Sequence, residues 1–273
     1  MTNKQNDIDI ISHSIEFMSN KDVIRTLFNE KGLAYRESLS YKKLASIYEK
    51  SPDSIRVSEI SELFRKNWKP CDIKRHIRHL KSGLLNGHDW HGAMPSILHR
   101  SIQDKVRQCS DGSLSLDEYL KIGSDIFKHE YFMVATHDIC ETSIILSDDS
   151  VIPPIGNKSV TDFIYDGIPY DLKVSSHTPK WVTKAGHTTV DDKKEIAIEL
   201  YEGADGERLR KMADGCKHNW GLNRMYYLVA NQNKWFESPE DTINYLICGL
   251  SDASNYFDII VHGLQIHICL IEQ

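Results

Sequence analysis

The sequence predicts an α/β or α+β protein, in which a mixed sheet flanked by helices follows a mostly helical N-terminal region. Apolar residues recur at helical spacing through roughly the first 108 residues, whereas short β-branched segments punctuated by glycine and proline dominate the second half. The 273 residues are 40% hydrophobic and 26% charged, which is typical of a folded globular protein. We expect a helical region over 1–108 and a sheet domain over 109–273.

Helical patterns come first along the chain. The segments "DVIRTLFNEKGL", "YKKLASIYEK" and "VSEISELFRKNW" each place apolar residues three or four positions apart. Further on, Ser115 precedes "LDEYL" and is a suitable N-cap for another helix, because its hydroxyl can accept a hydrogen bond from the first turn.

Strand patterns follow from about residue 142. "TSIILSDDSVIPPIG" predicts a strand and a loop, and "VTDFIYDGIPYDLKV" predicts a pair of strands. The segment "DDKKEIAIELYEGADGERLRKMADG" predicts a long helix that can break at Gly203 or Gly206. A strand in "RMYYLVAN", a helix in "PEDTINYLICGL" and two strands in "YFDIIVHGLQIHICLIEQ" complete the predicted sheet domain.

The composition indicates where the protein is located and which metal ions it can bind. No run of about 18 apolar residues exists, so no membrane span is predicted. The polar start "MTNKQNDIDIISHSIEFMSN" resembles no secretory signal, and we expect a cytoplasmic protein. Six scattered cysteines predict free thiols rather than disulfides. His137 with Cys140, and Cys216 with His218, can each offer zinc ligands, although neither spacing repeats a known zinc motif.

The predicted hairpin carries the charged residues of greatest interest. Asp166-Gly167 predicts a type I′ turn, which pairs Tyr165 with Ile168 and, by counting outward, Asp162 with Asp171. Alternation then places one apolar face opposite a face with Asp162, Asp171 and Lys173. Because Pro169 cannot donate to the ladder, it marks an edge strand or a bulge that would shift this pairing by one residue.

Two explanations account for the opposed aspartates. Like charges facing each other on a sheet are unfavourable, and Mg²⁺, which prefers oxygen ligands, would relieve the conflict between Asp162 and Asp171. Alternatively, this face of the hairpin is simply solvated, and Lys173 screens two surface carboxylates.

The segment "TDFIYDGIPYDLKV" resembles the core of the PD-(D/E)xK, or restriction-endonuclease-like, nucleases. Asp162 matches the first acid and Asp171-Leu172-Lys173 matches D-x-K, while Thr161 stands where the family name has proline. The order of elements is also similar, since a helix in "HEYFMVATHDICETS" precedes the hairpin and a helix and strand follow it. The resemblance implies that Asp162, Asp171 and the backbone carbonyl of Leu172 hold Mg²⁺, with Glu141 as a further ligand, and that Lys173 positions the attacking water.

The activity implied by this resemblance is Mg²⁺-dependent hydrolysis of double-stranded DNA by a site-specific type II restriction endonuclease. A homodimer is implied as well, because cutting both strands of a symmetric site requires two active sites. Two alternatives stay open: a repair or phage-defence nuclease without strict site specificity, and a non-catalytic DNA-binding regulator whose acidic hairpin is structural.

A basic segment offers a DNA-binding surface despite the net charge of −6. Lys74, Arg78 and Lys81 share a predicted helix face, Arg75 lies beside it, and an apolar stripe faces the other way: Ile73, Ile77, Leu80 and Leu84. The helix, Pro-containing turn and basic helix look like a winged helix-turn-helix, although a solvated basic face explains the same pattern. His177, just past the active strand, is either a loop residue or a phosphate contact.

Overall fold

The computed structural model describes residues 21–50, 61–85 apart from 63 and 67, 108–153 apart from 111, 161–213 and 223–273. Its helices are α1 (Lys21–Glu30), α2 (Tyr41–Glu49), α3 (Ile73–Leu80), α4 (Leu116–Ser147), α5 (Pro179–Val182), α6 (Val190–Ala213), α7 (Lys234–Glu237) and α8 (Pro239–Gly249). Its strands are β1 (Phe163–Tyr165), β2 (Ile168–Ser175), β3 (Arg224–Leu228), β4 (Tyr256–Val261) and β5 (Leu264–Glu272). Among the helices of these residues, none is long and apolar enough to cross a bilayer.

The five strands form one mixed sheet in the order β1-β2-β3-β5-β4. The three central strands are parallel, and each outer strand pairs antiparallel with its neighbour. Parallel neighbours need long crossover connections, and α6 lies within the connection from β2 to β3. The prediction of a mixed sheet with flanking helices is therefore confirmed.

Both faces of the sheet are covered. One face packs against α3, α4 and α8 through a cluster that includes Leu80, Ile139, Leu172, Tyr227 and Leu246. The opposite face packs against α6 through a second cluster, which includes Ile196, Tyr201, Leu228, Ile268 and Trp181. β3 and most of β5 are buried on both sides, as expected for parallel strands, whereas β2 exposes alternate residues on one side, including Lys173.

The hairpin adopts the predicted register. Asp166 and Gly167 both have positive φ, 47° and 76°, as a type I′ turn requires. Tyr165 pairs with Ile168, Ile164 with Pro169, and Phe163 with Tyr170, so no bulge shifts these three pairs, and the predicted pair of Asp162 with Asp171 lies beyond the last of them. Ile164 exchanges both backbone hydrogen bonds with Ile152 on its other side, so its pair with Pro169 needs no donor from proline.

Helix α4 corrects one prediction. The segment "TSIILS" is not a strand, because α4 continues to Ser147. Buried side chains spaced three or four apart lock this helix onto the sheet: Phe132, Ala135, Ile139, Cys140, Ile144 and Ile145. The predicted cap is confirmed, since the Ser115 hydroxyl accepts from Glu118 N–H and Glu118 completes a capping box.

The remaining elements mostly follow the predictions. Helices α1 and α2 match the first two helical patterns, and α6 runs through Gly203 and Gly206 without a break. The third pattern begins at residue 57, and its residues before 61 lie outside the described part of the chain.

The described helices before residue 108 pack on the sheet domain. Ile24, Leu27 and Leu44 share a buried cluster with Ile152 and Ile164, so the first two helices contact the region around β1. Further along, the guanidinium of Arg65 donates to carbonyl oxygens at the end of α4, including that of Asp148 at 2.5 Å. The helical region thus shares its core with the sheet, and its separate role remains a functional prediction.

Candidate functional site

Three elements bring acidic side chains to one edge of the sheet. Asp162 directly precedes β1, Asp171 lies on β2, and Glu141 lies in α4, which packs along the same side of the hairpin. The type I′ turn fixes the position of Asp162 relative to β2, and the apolar stripe of α4 fixes which side of that helix faces the strands.

A histidine joins two of these acids. Among the described residues, one group of metal-ligating side chains stands close together, and it consists of His137, Glu141 and Asp162. Their ligand atoms all lie within 4.8 Å of one another. His137 Nε2 lies 3.5 Å from Asp162 Oδ2, and His137 Nδ1 lies 3.8 Å from Glu141 Oε2. The imidazole therefore lies between the two carboxylates.

Asp162 makes two further hydrogen bonds to β2 just beyond the last residue pair of β1 and β2. Its backbone N–H donates to Tyr170 O at 2.8 Å, and its Oδ2 accepts from Leu172 N–H at 2.6 Å. In a strand, the N–H and C=O of one residue point to the same side. Leu172 therefore presents its carbonyl oxygen to the edge on which the Asp162 carboxylate lies.

Asp171 turns toward different partners. Its Oδ2 lies 3.2 Å from Arg224 Nη1, and its Oδ1 accepts a hydrogen bond from Lys173 Nζ. Arg224 begins β3 directly beside Asp171 in the parallel register and is 1% exposed. Lys173 is exposed at the other side of the pair. Asp171 is thus held between a buried and an exposed cation, outside the group formed by His137, Glu141 and Asp162.

The pKa values of the cluster reflect burial and mutual charge. Burial raises the pKa of Glu141, the Asp162 charge adds to this, and the result is about 7. Burial lowers the pKa of His137, but hydrogen bonds and charges from Asp138, Asp162 and Glu141 outweigh it and raise that pKa to about 10. Burial raises the pKa of Asp162 too, yet the bonds from His137 and Leu172 N–H lower it overall. The protein's own imidazolium thus balances these carboxylates.

Each of the two aspartates predicted to share one cation has a cationic partner within the protein. Asp162 contacts Leu172 N–H and pairs with His137, whereas Asp171 pairs with Arg224 and Lys173. Sequence reasoning considered His137 only with Cys140, which is buried in the core on another side of α4. The four-residue spacing of His137 and Glu141 was the available signal, since it places both on one helix face. Nothing in the sequence marked Arg224.

The predicted basic helix exists as α3, capped by Asp72, whose carboxylate accepts from Arg75 N–H. Lys74, Arg75, Arg78 and Lys81 are all exposed. Lys81 Nζ lies 2.7 Å from Glu240 Oε1 on α8, so this lysine is partly neutralised.

One residue of the predicted apolar stripe of α3 is misplaced. Leu84 is 73% exposed, and Leu85 is buried instead. The helix ends at Leu80, and Gly83 has a positive φ of 78°, so the helical count no longer applies to the residues that follow.

Two other sequence candidates lie away from the cluster. His177 is buried, with its Nε2 3.8 Å from Glu272 Oε2 at the end of β5, so the loop prediction holds and a direct phosphate contact is excluded by burial. Burial also lowers the pKa of this histidine. Cys216 and His218 lie outside the described residues, and Cys71, Cys109, Cys140, Cys248 and Cys269 are free thiols.

Comparison of the chain with protein-family models, with curated proteins and with solved structures found no match.

Proposed function

We propose that this protein is a Mg²⁺-dependent endonuclease of the PD-(D/E)xK type that hydrolyses phosphodiester bonds in double-stranded DNA, as a site-specific type II restriction enzyme does. One observation carries the proposal: the Asp162 carboxylate accepts from Leu172 N–H within Asp171-Leu172-Lys173, and α4 adds a ligand atom of Glu141 within 4.8 Å of that of Asp162. A solvated hairpin face would not require a half-buried acid on a neighbouring helix.

The donor atoms suit Mg²⁺. Glu141, Asp162 and Asp171 offer carboxylate oxygens, and Leu172 offers a backbone carbonyl on the same edge. Hard oxygen donors of this kind are those that Mg²⁺ prefers, with water completing its shell. Burial and the Asp162 charge raise the pKa of Glu141 to about 7, and a bound cation would offset the cost of ionising this group.

Each residue of the chain has a distinct role in the proposed reaction. Asp162 and Asp171 would hold the metal, with Glu141 and the Leu172 carbonyl as further ligands. When bound, Mg²⁺ polarises the scissile phosphate and lowers the pKa of a coordinated water. Lys173, whose side chain is 45% exposed, would hold the attacking water and stabilise negative charge on the phosphoryl oxygens. Arg224 would keep Asp171 in place from the buried side.

Helix α3 would form part of the surface that binds DNA. Lys74, Arg75 and Arg78 are exposed on this helix and can contact phosphates without further rearrangement, whereas Lys81 would first leave Glu240. A homodimer would supply the second active site needed to cut both strands.

The test is incubation of plasmid DNA with the protein and Mg²⁺. We expect discrete fragments, complete loss of cleavage with EDTA, and a loss of at least about 100-fold in the Asp171→Asn variant while DNA binding is retained. Asp166→Asn is the matched control, because it makes the same change of charge in the turn of the same hairpin, where asparagine also accepts a positive φ. Undiminished cutting by Asp171→Asn would rule out the assigned site.

The same gel separates the other candidates. A smear instead of bands would indicate a nuclease without site specificity. Intact but retarded DNA, in Mg²⁺ and at high protein concentration, would indicate a DNA-binding regulator and would overturn the proposal.

A further inference from the structure

His137 has no role in the proposed nuclease chemistry, yet it is the most central side chain of the cluster. Its imidazole nitrogens lie 3.5 Å from Asp162 Oδ2 and 3.8 Å from Glu141 Oε2. One nitrogen of His137 and one carboxylate oxygen from each acid lie within 4.8 Å of one another. Cys140, the other soft ligand of this helix segment, is buried in the core and cannot contribute.

The spacing of these atoms suits a metal ion. Ligands about 2.1 Å from an ion, at right angles to each other, are about 3 Å apart, and ligands on opposite sides are about 4.2 Å apart. The three ligand atoms lie within 4.8 Å of one another. Small rotations of the side chains would bring them to a single ion.

The backbone holds the three side chains in place. His137 and Glu141 are one turn apart on α4 and share a face. Ile139 and Cys140 lie between these two residues in the sequence and are fully buried. Their packing fixes the rotation of the helix against the sheet. Asp162 is held by the 2.6 Å hydrogen bond from Leu172 N–H. The site is therefore built from one helix face and one strand end.

We propose that His137, Glu141 and Asp162 form a mixed nitrogen and oxygen site for a divalent first-row transition-metal ion, and that His137 makes this site prefer Mn²⁺ to Mg²⁺. The inference rests on the proposed function in that it shares Glu141 and Asp162 with the proposed Mg²⁺ site. Mg²⁺ prefers oxygen ligands and gives up its waters reluctantly, whereas transition-metal ions accept imidazole nitrogen readily.

The test measures metal binding without DNA. Free Mn²⁺ is followed by electron paramagnetic resonance during titration of the full-length protein, and Mg²⁺ affinity is obtained by competition. We expect the wild-type protein to bind Mn²⁺ more tightly than Mg²⁺. His137→Ala should weaken Mn²⁺ binding by at least about tenfold, since even outer-shell partners of a metal contribute that much. The affinity for Mg²⁺ should change much less.

Two further variants serve as controls for this measurement. His137→Gln keeps most of the side-chain volume, so it separates loss of the nitrogen ligand from loss of packing, and we expect it to lose the preference for Mn²⁺ as well. His187→Ala removes an exposed histidine outside the cluster and should leave both affinities unchanged. Mn²⁺ affinity that is equal in the wild-type, His137→Ala and His137→Gln proteins would overturn the inference, as would an equal loss for both metals.

The metal and nuclease proposals fail separately. DNA cleavage in Mg²⁺ by a protein whose metal preference ignores His137 would leave the nuclease proposal intact and remove this one. Selective Mn²⁺ binding that depends on His137, in a protein that cuts no DNA, would do the reverse.

Discussion

At the scale of single residues, buried charge determines how the candidate site is arranged. Arg224 is almost fully buried, and its guanidinium lies 3.2 Å from Asp171 and 5.3 Å from the centre of the Tyr201 ring. A buried cation of this kind is tolerated only with a partner, because desolvation of an isolated charge costs several kcal/mol. Asp171 supplies that partner and is itself immobilised on β2.

Replacement of Arg224 should therefore destabilise the protein. We expect Arg224→Met to lower the free energy of unfolding by about 3 kcal/mol, at the lower end for a broken buried pair because Asp171 keeps Lys173. Urea denaturation measures the change. Lys66→Met is the control, since its pair with Glu62 is exposed and should contribute less than about 0.5 kcal/mol. Equal effects of the two changes would contradict the structural role of Arg224.

Glu272 provides a pH-dependent test in a different part of the sheet. Burial raises its pKa, although the Thr188 hydroxyl donates to its Oε2 at 2.5 Å. An acid whose pKa is raised by folding stabilises the protein most at low pH, below the pKa of the unfolded chain, and this contribution is lost as pH rises through the folded-state pKa. Glu272→Gln should therefore gain stability relative to wild type as the pH rises above about 4.5, the ordinary pKa of a glutamate.

The measurement for Glu272 is the difference in unfolding free energy between the two proteins at each pH. Glu199→Gln is a control with the opposite sign, because hydrogen bonds from Trp181 and Lys180 lower the pKa of that glutamate. A difference between Glu272→Gln and wild type that does not change with pH would show that burial does not perturb Glu272.

At the scale of elements, close packing of helix on strand sets what each position tolerates. Gly249 ends α8 where that helix meets β5, and a Cβ at this position would lie 2.7 Å from Cγ2 of Ile271. Ile271 is buried in the core and has a branched, stiff side chain, so it cannot move away easily. The absence of a side chain at Gly249 is thus required by the contact between the two elements.

Two glycine-to-alanine changes test this contact. Gly249→Ala should lower the free energy of unfolding by about 1–3 kcal/mol, as overpacking of a core does. Gly123→Ala, in the exposed part of α4 with no atom near the new Cβ, should instead stabilise by about 0.5–1 kcal/mol. Thermal unfolding of both variants shows directly whether each change raises or lowers stability. A stabilising Gly249→Ala would mean that α8 and β5 are further apart than described.

The elements also show where sequence patterns are sufficient. The Asp166-Gly167 turn and the alternation beside it predicted the hairpin register, because a two-residue loop permits only one pairing. The segment "TSIILS" misled because a short apolar run fits a buried helix end as well as a strand. Only its packing on the sheet, three turns beyond Phe132, distinguishes the two.

At the scale of the whole molecule, an overall charge of −6 means that any DNA-binding surface must be local. The exposed cations of α3 are the local surface that we propose for this role. Lys74→Ala with Arg78→Ala should weaken binding to duplex DNA and reduce the slope of log affinity against log salt by about 2, since each phosphate contact contributes about 0.9. Fluorescence anisotropy across a salt series measures both quantities.

A charge-matched control removes two lysines elsewhere. Lys43 and Lys50 are exposed at α2 and its C-terminal end, so Lys43→Ala with Lys50→Ala makes the same change in net charge. If both double variants lose affinity equally, net charge rather than α3 governs DNA binding.

By itself, the sequence determined the class of fold, most of the elements, the hairpin register and the identity of the acidic residues beside it. These follow from short-range physics: helical and strand periodicity, a turn that needs positive φ, and capping of α4 by Ser115. Only the tertiary structure decided which cation faces which acid. His137 meets Asp162, and Arg224 meets Asp171, across contacts between elements that lie 25 and 53 residues apart in the chain. Local patterns carry no information about such distant pairs, because packing of the helices on the sheet creates them.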